Sequence, residues 1–373
     1  MKKNSCKAYA LAFAVVLIVS GCQKNLKDNS PASAQQKNGS AISPKEFKDF
    51  VQINLVGNNS KHNPRKIDPD LINGWGLDFS PSGTIRVAVE GRGRSNVYTL
   101  DGDVAATPIN VPAASTSDGA SHPTGHVVNG SADFKLSNGN PALSIYASTD
   151  GAITGWNFGA SAVAMVDLSP NASYSGVTIA NDAGNNYLYA ANFREGKIDV
   201  FDKDWKPVSK PFSDPNLPAG YSPFNVQNIG GNLYVTYAKV NAATGEEEIG
   251  GGKGYINVFS SNGAFIKRFA SGGKLNAPWG IVKAPATFWG SHSQLANMIL
   301  VANFGDGRIS IYNENGTYMG QLYSMSKAIE INGLWGIAFP PPSSFNSSYL
   351  YFAAGPNNET EGLFGYIKNY YLN

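Results

Sequence analysis

The polar residues best suited to chemistry in this 373-residue chain lie in short, glycine-containing loops that recur along it. Their carboxylate, amide and guanidinium groups would suit a polar ligand if the loops converge on one opening. The alternative is structural, because Asn and Asp beside Gly also complete the backbone hydrogen bonds of tight turns. The candidate ligand-binding residues in these loops are Glu90, Arg92, Asp150, Asn192, Arg194, Asn303, Asp306 and Asn357.

Two further features could contact a ligand. The loop from Lys239 to Lys253 is the longest and contains three consecutive glutamates, 246–248. It is interpreted as a flap over the opening, as a weak cation site, or as a solvated charge run. His122 and His126 are four residues apart, so in a strand they share a face. Of these two, His122 is kept as a candidate ligand-binding residue, although no third side chain completes a metal site.

These loops sit inside an internal repeat. Each repeat starts with a short apolar segment entered through a small residue, as in "NGWGLDF", "NAPWGIV" and "GLWGIAF". Near-constant spacing over dozens of residues is the signature of a repeat architecture. The anchor positions of the repeats are Gly76, Gly125, Gly176, Phe224, Gly280 and Gly336, at intervals of 49, 51, 48, 56 and 56 residues.

Each repeat reads as a four-stranded antiparallel meander. A turn such as "SPSG" or "NIGGN" follows the first strand, then come two more apolar strands and, in several repeats, an Asn-Gly or Asp-Gly hairpin turn and a fourth strand. The apolar period is near two, which excludes helices. A lone meander cannot bury both of its faces, so the sequence predicts an all-β, six-bladed β-propeller. A ring with another blade count is the alternative.

The sixth repeat ends without an outer strand. The segment "FVQINLV", residues 50–56, alternates correctly to supply it. We therefore expect the N-terminal strand to close the ring and to hide the edge strands, which otherwise invite aggregation. The propeller is expected to span residues 47–373.

Several segments carry a resemblance to known proteins. "LYAANFREGKIDVF" (188–201) and "ILVANFGDGRISIY" (299–312) are alike, and they resemble NHL-type repeats. "LPAGYSPFNVQNIGGNLYVTYA", "GLWGIAF" and "YFAAGPNNETEGLFG" look more narrowly like an uncharacterised bacterial family of secreted or lipoprotein propellers. The resemblance implies the fold and little about activity, because one fold hosts many functions.

The type of residue before each anchor indicates whether the propeller has a metal site at its axis. Six-bladed propellers of the gluconolactonase type place Asn or Asp there, and those oxygens bind a divalent cation. Here the positions hold Trp75, Thr124, Ser175, Pro223, Trp279 and Trp335. No metal and no cofactor is therefore expected.

The three tryptophans in these positions, Trp75, Trp279 and Trp335, are also candidate ligand-binding residues. Their rings would form an aromatic platform for a sugar if they face the opening. The alternative is that they pack between blades, as large aromatic side chains commonly do.

The N-terminus predicts export. Residues 1–21 have a basic start and a short apolar run, which is typical of a signal peptide and too short to span a bilayer. "VSGC" resembles a lipobox, so Cys22 is the expected lipidation site, and residues 22–46 read as a flexible tether. The predicted location is the cell envelope, as an outer-membrane lipoprotein that contacts the membrane only through its lipid.

Charge and motifs limit the function. The formal charge is +2, and removing the three lysines of the signal leaves 26 − 27 = −1, without the basic excess of a nucleic-acid binder. No nucleophile-elbow or phosphate-binding loop motif is present. The expected function is binding of a glycan or an envelope protein without chemistry. The alternative is a hydrolase or lyase acting on carbohydrate or lactone.

Overall fold

The protein is described by a computed structural model that covers residues 47–371, except 118, 291, 293, 294 and 345. The expected signal peptide, lipidation site and tether lie outside these residues and stay predictions. No helix in the part described is long and apolar enough to cross a membrane.

The described chain consists of short strands grouped into six blades. Two strands, β1 (Phe50–Gly57) and β2 (Lys66–Ile67), precede the first complete blade. Blade 1 contains β3 (Gly74–Phe79), β4 (Ile85–Val89), β5 (Arg94–Tyr98) and β6 (Val104–Asn110). Blade 2 contains β7 (Pro123–Val128), β8 (Ser144–Ser148), β9 (Ala152–Trp156) and β10 (Val163–Asp167).

The other four blades follow the same order from the inside outwards. Blade 3 contains β11 (Tyr174–Asp182), β12 (Asn185–Asn192) and β13 (Lys197–Phe201). Blade 4 contains β14 (Tyr221–Ile229), β15 (Asn232–Lys239), β16 (Gly254–Ser260) and β17 (Phe265–Ser271). Blade 5 contains β18 (Pro278–Lys283), β19 (Ile299–Asn303), β20 (Ile309–Tyr312) and β21 (Tyr318–Gln321). After the small hairpin β22 (Tyr323–Ser324) and β23 (Lys327–Ala328), blade 6 contains β24 (Leu334–Ala338), β25 (Leu350–Ala354) and β26 (Leu363–Asn369).

Antiparallel pairing within each blade confirms the predicted six-bladed propeller of four-stranded blades. In blade 3 the outermost position is occupied by the segment around Val208, which is not a regular strand. There the N–H of Val208 donates to the carbonyl of Val200 at 2.8 Å, and Phe201 bridges Pro207. Two short 3-10 turns, Glu90–Arg92 and Ala286–Trp289, complete the regular structure.

The N-terminal strand closes the ring, as expected. β1 pairs antiparallel with β26 from Phe50 opposite Asn369 to Gly57 opposite Leu363, and so becomes the outer strand of blade 6. β2 adds to β1 in parallel. Both ends of the propeller are therefore fixed within one blade.

The core lies between the blades. Of the seven hydrophobic clusters within the described residues, six each take their side chains from two neighbouring blades. The two faces of each sheet are therefore buried by its neighbours, which explains why strands such as β4 and β19 are buried at every position. A seventh cluster, of aromatic residues, lies where the inner strands meet.

The inner strands approach so closely that side chains do not fit between them. A Cβ on Gly125 would lie 2.7 Å from the backbone nitrogen of Val177, and one on Gly336 would lie 2.5 Å from the carbonyl oxygen of Trp75. Real Cβ atoms do not make such contacts, so these positions need glycine.

Blade 4 requires a correction to the predicted anchor. The hydrogen-bond register of each inner strand shifts around the anchor, and in β14 the shift falls between Pro223 and Asn225. Asn225, not Phe224, faces Gly176 of blade 3, its Cα 2.9 Å from where a Cβ would be. The residue before this anchor is therefore Phe224 and not Pro223, so a fourth aromatic residue joins the three tryptophans.

We predict that Gly125→Ala destabilises the protein by about 2 to 3 kcal/mol, because rigid backbone atoms of β11 must move. Thermal or urea unfolding measures the loss. The matched control is Gly130→Ala, since a Cβ on Gly130 meets nothing within 4 Å. Equal stability of the two variants would contradict the crowding argument.

Candidate functional site

Aromatic residues close the axis of the ring on the side of the loops between second and third strands. Trp335 lies between Trp75, with ring centroids 3.5 Å apart, and Phe304, at 3.9 Å, both nearly parallel to it. Trp279 meets the edge of this stack at 5.9 and 6.0 Å. Phe224 packs on Trp335 at 5.7 Å. We call these five residues the aromatic plug.

The axis below the plug is almost filled. Its cavity measures about 10 Å³, which is room for about one water molecule. His126 borders it and stacks on Tyr146 at 4.7 Å. Burial and the nearby charge of Arg86 lower the pKa of His126 to about 3, so this ring is neutral at ordinary pH. A ligand can therefore reach the plug only from the loop side.

A much larger cavity, of about 520 Å³, lies above the plug. This volume is in the range of small-molecule sites. Loops between second and third strands of five blades contribute to it. Aromatic and charged side chains line it together: Trp75, Phe193, Phe224, Glu90, Arg194, Glu246, Glu247 and Glu359. We call it the mouth cavity.

Carboxylates dominate the charged part of the mouth cavity. Burial, with the neighbouring charges of Glu359 and Glu246, raises the pKa of Glu247 to about 7. Burial also raises the pKa of Glu359, and the charges of Glu90 and Glu246 add to the effect. These carboxyls therefore repel one another, and each negative charge that forms in the cavity opposes the next.

Asn73 connects the carboxylates to the plug. Its amide nitrogen donates to Glu90 Oε2 at 3.0 Å and to Glu359 Oε2 at 2.8 Å, and its amide oxygen accepts from Trp335 Nε1 at 3.1 Å. Asn73 is fully buried and has a φ of +50°. Asn tolerates this left-handed backbone better than most residues.

Glu359 is held by an unusual loop. Residues 357–359 have consecutive φ values of +56°, +51° and +65°. A left-handed backbone costs a glutamate about 1–2 kcal/mol. The rest of blade 6 imposes it, and it brings the carboxylate to Asn73.

A histidine and a glutamate form an ion pair beside the cavity. His122 Nδ1 lies 2.6 Å from Glu90 Oε1. This hydrogen bond raises the pKa of His122. Burial acts to raise the pKa of Glu90, but the hydrogen bonds from His122 and Asn73 outweigh it and lower that pKa. Glu90 therefore stays ionised while Glu247 holds its proton to higher pH.

Three of the twelve candidate ligand-binding residues line the mouth cavity: Trp75, Glu90 and Arg194. His122 reaches it through Glu90. Trp279 and Trp335 are 4% and 0% exposed and belong to the plug beneath. The Nε1 of Trp279 donates to the carbonyl of Ser175 at 2.9 Å, which ties blade 5 to blade 3 across the axis.

The two repeated asparagines fasten their own blades. Asn192 accepts from the N–H of Ser173 and donates to Asp199 Oδ2 at 2.9 Å. Asn303 accepts from the N–H of Asn276 and donates to the carbonyl of Lys274. In both blades the side chain joins the end of the second strand to the loop that enters the first, which is the structural alternative for these residues.

The remaining candidates also make local contacts outside the cavity lining. Arg92 pairs with Asp70 at 3.4 Å, and Asp150 accepts from the N–H of Ala114. Asp306 accepts from the N–H of Arg308, and Asn357 donates to Thr360 Oγ1. These residues shape the loops and turns around the opening.

The long loop of blade 4 reaches the cavity through two of its three glutamates. Glu246 and Glu247 border it, whereas Glu248 pairs with Lys239 and Lys253. Within the described residues no group of three or more His, Cys, Asp or Glu side chains is arranged to hold a metal ion.

The sequence did not single out four residues of this site. Phe224 was predicted to be the anchor of its blade, Phe193 was not considered as a site residue, and Asn73 lies ahead of the first strand of blade 1. Glu359 stands in the quoted loop of blade 6, where Asn357 was chosen instead. The charge of Glu359, in a loop already placed at the mouth, was the one usable signal.

Fold and site together define a β-propeller with a ligand-sized cavity at one end of its axis. Solved structures agree on the fold: a virginiamycin B lyase from Staphylococcus aureus has a TM-score of 0.50 at 13% identity, covering 86% of this chain and 98% of that one. An aldose sugar dehydrogenase from Escherichia coli, in its apo form, has a TM-score of 0.55 at 13% identity, with 86% and 99% covered.

No established protein-family profile matches the sequence. Two proteins of Acanthamoeba polyphaga mimivirus are much more similar in sequence. Uncharacterized protein L690 is 33% identical over 334 residues, 84% of each chain, and uncharacterized protein R648 is 32% identical over 333 residues, 85% of this chain and 80% of that one. The chain belongs to the same family as these two proteins.

We predict that Glu247→Gln changes the pH dependence of stability. The folded state holds the Glu247 proton more tightly than the unfolded state, whose pKa is near 4.5. This contribution is complete below about pH 4.5 and is lost as the pH rises through about 7. The difference in melting temperature, variant minus wild type, should therefore be more positive at pH 8 than at pH 4.

Glu248→Gln is the matched control for this measurement. Hydrogen bonds from Lys253 and Lys239 lower the pKa of Glu248, so its contribution is present at high pH and lost on acidification. Its variant should lose melting temperature at pH 8. The same shift for both variants would show that Glu247 is not held protonated by the cavity.

Proposed function

We propose that this protein is an exported, lipid-anchored propeller of NHL-like type that binds a glycan in its mouth cavity and does no chemistry on it. The observation that carries the proposal is the composition of that cavity. Trp75 and Phe193, which are 6% and 7% exposed, supply the apolar surface, and carboxylates and hydroxyls surround them. Apolar faces beside hydrogen-bonding groups match the two kinds of surface of a sugar ring.

The site opens on one side of the ring only, and this supports binding of a chain end or a small oligosaccharide. The plug and the filled axis block passage through the ring. A cavity of about 520 Å³ accommodates a few sugar rings rather than an extended polymer lying along a groove. A protein partner would instead need a wide surface around the rim.

The location of the protein is proposed from the N-terminal sequence alone. The basic start, short apolar run and "VSGC" motif support cleavage before Cys22 and its acylation, with an outer-membrane location. Two signals are needed for stable membrane attachment by lipid, and a lipoprotein cysteine carries more than one acyl chain.

We predict that Cys22→Ser moves the protein from the membrane fraction to the soluble exported fraction, because the acylated side chain is lost. Cell fractionation with radiolabelled palmitate measures both location and acylation. Cys6→Ser, within the expected signal peptide, is the control and should change neither. Palmitate incorporation in the Cys22→Ser variant would contradict the proposed anchor.

A second function, that of a hydrolase or lyase acting on a carbohydrate or lactone, is favoured by one observation. Glu90 is kept ionised and Glu247 holds its proton to about pH 7 in the same cavity. Carboxyls with opposite pKa shifts are the usual pair of an acid–base mechanism. The two solved propellers named above include a lyase and a sugar dehydrogenase, but their similarity shows the fold alone.

The test of the proposed function is a melting-temperature screen of the full-length protein against oligosaccharides and lactones, with product analysis of every sample. A ligand that binds the folded state stabilises it by about 2.7 kcal/mol when the free ligand concentration is one hundred times the dissociation constant. The melting temperature rises as a result. We expect a rise with specific oligosaccharides and no new products. Turnover would favour the enzyme, and a flat screen would reject the glycan site.

A further inference from the structure

The lining of the mouth cavity holds more acidic side chains than basic ones. Three of its carboxylates, Glu246, Glu247 and Glu359, have no ion-pair partner within the described part of the chain, whereas Glu90 is paired with His122. Among the described residues that line it, Arg194 is the one cation, and its guanidinium donates to the carbonyl of Pro170. Unpaired carboxylates gathered in one partly buried space destabilise one another.

A second observation is independent of these charges. Trp75 is 6% exposed and forms part of the cavity wall, yet its indole N–H has no hydrogen-bond partner. Trp279 and Trp335, its neighbours in the plug, both donate their indole N–H to protein oxygens. A buried donor without a partner costs about 1–3 kcal/mol. The nitrogen itself is enclosed, so a ligand oxygen would remove that cost only after the side chains around it shift.

The shape and composition of the cavity exclude a bare metal ion as the matching cation. No group of three potential ligands is arranged for a metal within the residues described, and the volume is far larger than an ion needs. Aromatic rings beside the carboxylates suit an organic ammonium group, because such a cation is attracted both to the rings and to the carboxylates.

From these observations we infer that the mouth cavity selects an amino sugar, a carbohydrate with a protonated amine. Its ammonium group pairs with the carboxylates of Glu359 and Glu247, and Glu247 gives up its proton to the solvent as the ammonium group binds. Its ring packs against Phe193, and a ring or hydroxyl oxygen accepts from Trp75 once the side chains around that indole nitrogen shift. The inference rests on the proposed glycan-binding function and names the class of glycan. Binding of the ammonium group relieves the mutual repulsion of the carboxylates.

The test compares two oligosaccharides that differ only at the amine. Binding of a glucosamine tetramer and of an N-acetylglucosamine tetramer to the full-length protein is measured by isothermal titration calorimetry at pH 6, where the free amine is protonated. We expect the glucosamine tetramer to bind at least about tenfold more tightly, and its affinity to fall with added salt.

Variants locate the effect. Glu247→Gln and Glu359→Gln should each weaken binding of the glucosamine tetramer by at least about fivefold, because each removes one carboxylate from the ammonium group. Glu248→Gln removes the adjacent carboxylate of the same loop, which pairs with Lys239 and Lys253, and should leave the affinity unchanged. Trp75→Phe keeps an aromatic ring in the plug and should weaken both tetramers.

The outcomes separate the inference from the function on which it rests. Equal binding of the two tetramers, or a preference for the acetylated one, would overturn the inference and leave glycan binding in place. Failure of both tetramers, together with a flat screen of other oligosaccharides, would overturn both. An equal loss of affinity in Glu248→Gln and Glu247→Gln would also overturn the assignment, because only Glu247 borders the cavity.

Discussion

The close approach of six inner strands around one axis is the constraint on which the rest of the structure depends. At Gly125 and Gly336 the next strand lies within 3 Å of where a side chain would begin, so the backbone itself fills the centre. The hydrogen-bond register shifts at each of these positions. The residue before each anchor is therefore displaced from its ladder, and in four blades that residue is an aromatic one.

The aromatic plug follows from this geometry and creates the site above it. Trp335 has partners on both of its faces, and its indole N–H holds Asn73. Asn73 in turn holds the carboxylates of Glu90 and Glu359, from opposite sides of the junction between the first and last blades. Packing at the axis and charge at the opening are thus linked through one buried amide, so the position of the carboxylates depends on an intact plug.

The fold could be predicted from the sequence because repeated, locally alternating segments carry it. Phe50 to Val56 could be assigned to the last blade because a missing strand and a spare strand were both visible. The site was harder, since which loop side chain faces inwards depends on backbone angles such as the left-handed φ of Glu359. The anchor of blade 4 was misplaced by one residue because Asn225, rather than glycine, occupies it.

Closure of the ring by β1 and β26 also sets the order in which the chain can become complete. The paired residues Phe50 and Asn369 are 369 − 50 = 319 positions apart, so the first strand synthesised must wait for the last. Until then both edges of the unfinished ring are open to other chains. Long-range pairing of this kind is slow. The interval before closure, rather than the finished propeller, is when this protein is most exposed to aggregation and proteolysis.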